Sequence, residues 1–163
     1  LPCGGQIGII ISSHNLSCHQ CRLEGFQQKL KQKYSNFDIV EIRENQDHKE
    51  EAFKITLEYC NKYPELKGLY ITGGGIIGVG RALDIARKSE KLKVICHDLV
   101  PDTITLLQNG TVDFAIGQNA SNQGYQLVKI LFDYIIKRQK PNGYYMKIPI
   151  TIATEDTIDY FEE

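Results

Sequence analysis

Short apolar runs alternate with amphipathic stretches along the whole chain, and no other feature restricts its fold as much. Residues 7–11, 37–42, 69–72, 94–96 and 112–117 are each an apolar run of strand length. Between them, 22–33, 48–63, 76–88 and 102–108 carry helical spacing. Leu23, Phe26 and Leu30 fall on one stripe, and Phe53, Leu57 and Cys60 on another. Pro64 closes the second helix, and Asn109-Gly110 stops the fourth. Residues 122–138 give the longest helix, Asn142-Gly143 a turn, and 145–153 a last strand that Pro149 confines to an edge. Nearly uninterrupted apolar runs suit strands buried on both faces, and five β-α units in series predict a parallel sheet between helices. The expectation is a three-layer α/β/α fold with five to six mostly parallel strands.

At 163 residues the chain is the size of one domain, and 42% hydrophobic against 24% charged residues predicts a packed core rather than disorder. A net charge of −1 leaves no basic field to hold nucleic acid. No apolar run approaches the ~18 residues of a membrane span. The opening LPCGGQ has neither the charged nor the apolar part of a signal peptide and reads as a loop entered from upstream. Five cysteines are an odd number, and Cys60 and Cys96 lie inside apolar patterns where a thiol packs as a small hydrophobe. That favours a reducing, cytoplasmic setting. In the last helix Leu127, Val128, Ile130, Leu131, Phe132, Tyr134, Ile135 and Ile136 run nearly all the way round. One sheet face would ask only for a stripe, so this helix calls for a second apolar surface.

Open parallel sheets bind ligands at the carboxyl ends of their strands. There the chain places Ser12, Ser13, His14 and Arg22 after the first strand, Thr72 and three glycines after the third, His97 and Asp98 after the fourth, and Gln118 and Asn119 after the fifth. A forked cation, a carboxylate and an amide suit vicinal hydroxyls, each of which both donates and accepts. The plainer alternative is that these loops are polar for solvation and that Asp98 caps the helix entered at Pro101. His14, Cys18, His19 and Cys21 offer four zinc-type ligands within eight residues, but zinc motifs draw on two separated knuckles and no second cluster exists. Cys18-x-x-Cys21 precedes a helix as redox thiols do, and a Cys-His nucleophile would lack an orienting group. The preferred reading makes 12–21 a loop that delivers Arg22 to a ligand, with no metal and no cofactor. TGGGIIGVG follows the third strand in the order G-x-x-G-x-G, unlike the dinucleotide fingerprint, and leaves a phosphate- or nucleotide-binding enzyme as a minor alternative.

Three segments resemble the ligand-binding domain of lactose-repressor-type regulators and of type I periplasmic-binding-protein-like sugar binders related to ribose-binding protein. CRLEGF (21–26) is similar to their x-R-x-x-G-F. GLYITGGGIIGVGRALDIARKSEKLKVICHDLVPD (68–102) is similar to their strand, helix with x-G-x-x-R-A-L and strand ending in G-F-D. GTVDFAIGQNASNQGYQLVKIL (110–131) is similar to their closing strand, glutamine and helix. The resemblance runs from about residue 5 onward and implies one lobe, the distal one, of a two-lobed protein. It implies that Arg22, Asp98 and Gln118 hydrogen-bond a sugar. Where the family often has Asn-Asp, this chain has Thr72 and Gly73, and His97 stands where an aromatic or aliphatic residue is usual. The helix 122–138 would pack on the other lobe, with that lobe and a DNA-binding headpiece upstream.

The reading at this point is an effector-sensing lobe of a lactose-repressor-type transcriptional regulator, not an enzyme. The alternative is the solute-binding component of a sugar importer. The candidate ligand set is Arg22, Asp98 and Gln118 with Thr72, His14 and Ser13. The expected partners are a small polar effector, a sugar first, operator DNA through the headpiece alone, and a second copy in a homodimer. No membrane contact is expected.

Overall fold

Five parallel strands and one antiparallel edge strand make a single sheet. The strands are β1 (Gly5–Ile11), β2 (Phe37–Glu44), β3 (Leu66–Ile71), β4 (Lys93–His97), β5 (Phe114–Gly117) and β6 (Thr151–Ala153). Their order is β2-β1-β3-β4-β5-β6, with β6 antiparallel to β5. The helices are α1 (Ser17–Lys33), α2 (Lys49–Lys62), α3 (Ile76–Ile85), α4 (Pro101–Gln108) and α5 (Ala120–Ile135), and a 3-10 helix closes the chain at Glu155–Phe161. This computed structural model describes residues 4–141, 143 and 145–161. Cys3 and the turn expected at Asn142 lie outside the described residues. The three-layer α/β/α expectation is met. Strand order reverses between β1 and β3, and a crevice opens at such a switch point beyond the carboxyl ends of the strands.

The two faces of the sheet are covered unequally. On one, α2, α3, α4 and the 3-10 helix bury Ile10, Ile55, Tyr59, Leu69, Ile71, Val79, Leu83, Val94, Leu107 and Ile158. On the other, α1 alone packs Leu23 against Ile9, Ile11 and Tyr70, and Phe26 stacks on Tyr70 with ring centroids 4.4 Å apart. Cys60 and Cys96 are buried in the larger core, and burial pushes both thiols up, Cys96 to about 12. Helices α2 and α3 touch backbone to backbone at Gly78, where a Cβ would stand 1.9 Å from the Lys49 carbonyl oxygen. The glycines of 73–80 therefore serve close packing here.

Several boundaries differ from the sequence expectation, each for a local reason. Helix α1 begins at Ser17, five residues before Arg22. Its N-cap is Leu16, which has no side-chain acceptor, so the usual capping signal is missing. The buried stripe of α2 is Ala52, Ile55, Thr56, Tyr59 and Cys60 rather than Phe53, Leu57 and Cys60. Phe53 sits half-buried at its margin beneath the Arg81 guanidinium, 5.1 Å from the ring centroid. Strand β5 starts at Phe114, just after Asp113, whose carboxylate accepts the Val94 amide and pairs with Lys93. Of 145–153 only Thr151–Ala153 joins the sheet, at the edge, beyond the proline that lacks a ladder donor. Finally, no residue of α5 is buried, and the helix packs closely against no other element.

Candidate functional site

Every residue singled out by position lies at the carboxyl edge, but the side chains take different parts. Arg22, on the second turn of α1 and half-buried, donates to the Thr72 carbonyl oxygen. Thr72 is fully buried, and its hydroxyl shares a 2.9 Å hydrogen bond with His19 Nδ1. Asp98 follows β4 with φ +71, a left-handed conformation that aspartate tolerates better than most residues, and its carboxylate accepts from the Gln118 amide. It caps no helix: the N-cap of α4 is Val100, without a side-chain hydrogen bond. Gln118 is exposed, and its carbonyl accepts from Gln123 at 2.7 Å. His14 stands exposed at the rim, 3.4 Å from the Gln20 side chain, and its amide donates to Glu44 at 2.5 Å. Ser13 is buried and accepts from the Asn15 amide.

Between the Arg22 and Asp98 positions lies His97, the last residue of β4. Its Nε2 shares a 2.9 Å hydrogen bond with the Tyr70 hydroxyl, its Nδ1 is buried without a partner among the described residues, and its ring meets that of Tyr70 edge-on. Burial first, then the positive charge of Arg22, pushes the imidazole down to about 4 against the opposing pull of Asp98. His19 is lowered by the same two causes, with Asp47 and Asp98 opposing. Both imidazoles are thus neutral near pH 7 and act as hydrogen-bonding groups. Beyond Asp98 and Gln118 the edge opens into a cavity of about 670 Å³, floored by Gly117 and flanked by Thr151 and Tyr160, within the range of about 300–1,000 Å³ usual for small-molecule sites.

Two participants were not expected at this edge: His19, weighed only as a metal ligand, and Asp47. His19 extends the Leu23 stripe of α1 back by one turn, a signal hidden by starting the helix at Arg22. Asp47 left no sequence signal. Its carboxylate accepts from Ser12 and, at 2.6 Å, from the Gly74 amide, while Asn45 donates to the Gly74 carbonyl at 2.8 Å. Burial works against its ionised form, but Ser12, the Gly74 amide and the nearby His19 together hold it below the ordinary range. The chain's own carboxylate therefore takes the Gly74 donor that a phosphate would need, which argues against a phosphate cradle in the glycine loop.

The cysteine-histidine cluster is dispersed by the early start of α1. His19 turns inward to Thr72, whereas Cys18 and Cys21 are exposed. Among the described residues no three His, Cys, Asp or Glu side chains are grouped to hold a metal ion, and no helix is long and apolar enough to cross a membrane.

The arrangement offers a forked cation, a carboxylate, an amide and two neutral imidazoles along one edge, with Arg22 and Asp98 both acting on His97. Comparison with known proteins gives this geometry a family. The model of the periplasmic binding protein domain matches residues 1–139. The xylose/arabinose-binding protein XylF of Sulfolobus acidocaldarius is 25% identical over 146 residues, covering 83% of this chain and 34% of that protein. AraP, an arabinose-binding protein from Geobacillus stearothermophilus, superimposes with a TM-score of 0.86 at 25% identity, over 99% of this chain and 58% of that one. A sugar-binding protein of a sugar ABC transporter from Bacillus halodurans superimposes with a TM-score of 0.87 at 23% identity, over 98% and 58%. This chain thus spans about a third of its curated relative and little more than half of these solved chains. With the match running over most of its length, the chain belongs to the periplasmic binding protein domain family.

Proposed function

We propose that this chain forms one wall of a sugar-binding cleft in the solute-binding component of a sugar importer. The observation that carries the reading is the single carboxyl edge on which Arg22 and the Asp98-Gln118 pair lie, with Arg22 and Asp98 both close enough to act on His97. Arg22 supplies donors, Asp98 accepts, and Gln118 does both, which is the complement of adjacent hydroxyls. The relatives support the class of ligand: XylF is named for xylose and arabinose, AraP for arabinose. The regulator reading draws no support from these matches, since each is a sugar-binding protein. The importer reading also moves the site of action from the cytoplasm to the outer side of the membrane. The chain's role is binding, not catalysis.

Arabinose and xylose are the first ligands to test. One wall supplies only part of the hydrogen bonds, so the isolated chain binds weakly, with a Kd on the order of 1 mM. Asp98→Ala removes the acceptor that hydroxyls need and is expected to weaken binding at least about tenfold, equivalent to about 1.4 kcal/mol. Calorimetric titration of both proteins checks this. Equal affinity for the two would take Asp98 out of the site.

A further inference from the structure

The C-x-x-C of the sequence takes no part in the carboxyl-edge site, yet it sits on the stretch of helix that builds that site. Cys18 and Cys21 lie in the first two turns of α1, both as exposed free thiols. The residues next to them, His19 and Arg22, grip Thr72 from the same stretch. His19 Nδ1 shares its 2.9 Å hydrogen bond with the Thr72 hydroxyl, and Arg22 donates to the Thr72 carbonyl oxygen. Both pairs have a spacing of three, so the thiols occupy one flank of the helix and the Thr72 clasp the flank beside it.

Helical geometry brings the cysteines close, but not to bonding distance. Residues three apart on a helix have Cα atoms about 5 Å apart, inside the range of about 4.4–6.8 Å that a disulfide spans. Their Cβ atoms are about 5–6 Å apart, whereas a disulfide needs about 3.5–4.5 Å. Closure therefore draws this part of the helix together by about 1–2 Å. Little holds it against that pull. The N-cap, Leu16, makes no side-chain cap, and Ser17, Cys18 and Cys21 are exposed. The buried anchor is His19, so the contraction falls on the bonds of His19 and Arg22 to Thr72.

We propose that Cys18 and Cys21 form a reversible disulfide, and that its closure strains and opens the His19–Thr72–Arg22 clasp. The chemistry is exchange with a small disulfide such as oxidised glutathione. One cysteine, as its thiolate, attacks that disulfide, forms a mixed disulfide and releases one glutathione. The other cysteine then displaces the second glutathione. The pair gives up two protons and two electrons, and the small disulfide becomes two thiols. A bond that is both exposed and strained belongs to the readily reduced class, so reduced glutathione reopens it. Cys60 and Cys96 are buried and take no part.

Mass spectrometry and peptide mapping of the 163-residue chain, equilibrated with oxidised or reduced glutathione and then alkylated, test the bond. The expected oxidised product is two hydrogens lighter, with Cys18 and Cys21 linked inside one peptide, and reduced glutathione restores both thiols. Cys18→Ser cannot close and holds glutathione on Cys21 instead. Nuclear magnetic resonance amide spectra then test the coupling. The expected change on oxidation reaches Thr72 and Gly73, 50 or more residues away in sequence. It is absent from Cys21→Ser treated in the same way, whose Cys18 can only take up glutathione. Neither readout uses sugar, so both are independent of the cleft reading. Glutathione on both cysteines without an internal link would overturn the proposal, as would a link from either to Cys3. An internal link with shifts confined to the first two turns of α1 would overturn it as well, since the bond would then have no hold on the clasp.

Discussion

Tyr59→Ala is expected to lower the unfolding free energy by about 3–5 kcal/mol, the range for emptying a large aromatic site in a close-packed core. Tyr59 is fully buried on α2, and its hydroxyl donates to the Ile9 carbonyl at 3.0 Å. Its ring fills the space above Gly8, where a Cβ would stand 2.6 Å from the ring. The glycine in β1 and the tyrosine in the helix therefore form one packing unit, and removing the ring leaves a large gap over the strand. Since folded domains are held by only about 5–15 kcal/mol, a loss of this size leaves a large unfolded fraction. Urea unfolding followed by circular dichroism checks it. The conservative Tyr59→Phe keeps the ring and should lose only about 0.5–1.5 kcal/mol for the hydrogen bond. Equal losses for both variants would contradict the account of the Gly8–Tyr59 contact.

Acidification is expected to act through His97. The folded imidazole is held near 4 by burial and then by Arg22, whereas its ordinary value is 6.5. The groups around it are Arg22 and His19 from α1, Tyr70 from β3 and Asp98 after β4. The unfolded chain thus takes up the proton first. The contribution of His97 to stability is complete above about 6.5, falls as the pH drops through that value, and levels off below about 4. Over that window the loss is on the order of 3 kcal/mol from this one group. His19, shifted in the same direction, adds to it. Unfolding free energies for the unaltered chain and for His97→Phe, measured at neutral pH and near pH 4, separate the two. The variant should retain clearly less pH dependence, and an identical slope would mean that His97 titrates normally in the folded protein.

The fold was legible because burial on both sides of a parallel sheet leaves apolar runs with no competing period. The positions of Asp98 and Gln118 were legible for a related reason: a strand that ends fixes where the next polar residues must stand, whereas Arg22 was expected at the mouth of a helix that in fact begins five residues earlier. The inward turn of His19 could not be read, because α1 starts at Ser17 behind Leu16, an N-cap without a capping side chain, and the helical phase was counted from the wrong residue. Asp47 was missed because it touches Ser12 and Gly74, residues 35 and 27 positions away, and such pairings leave no local pattern. The apolar stripe of α2 was displaced by one position because half-buried Phe53 packs against Arg81, a contact that a hydrophobic pattern does not encode.

A nuclear magnetic resonance titration of the chain with arabinose tests the cleft most directly, since it detects weak binding residue by residue. The account predicts saturable shifts clustered at Arg22, Thr72-Gly73, His97-Asp98 and Gln118, needing at least about tenfold more sugar in Asp98→Ala, with little change at α2 or the amino ends of the strands. Saturable shifts elsewhere on the surface, or none with arabinose, xylose or glucose, would contradict it.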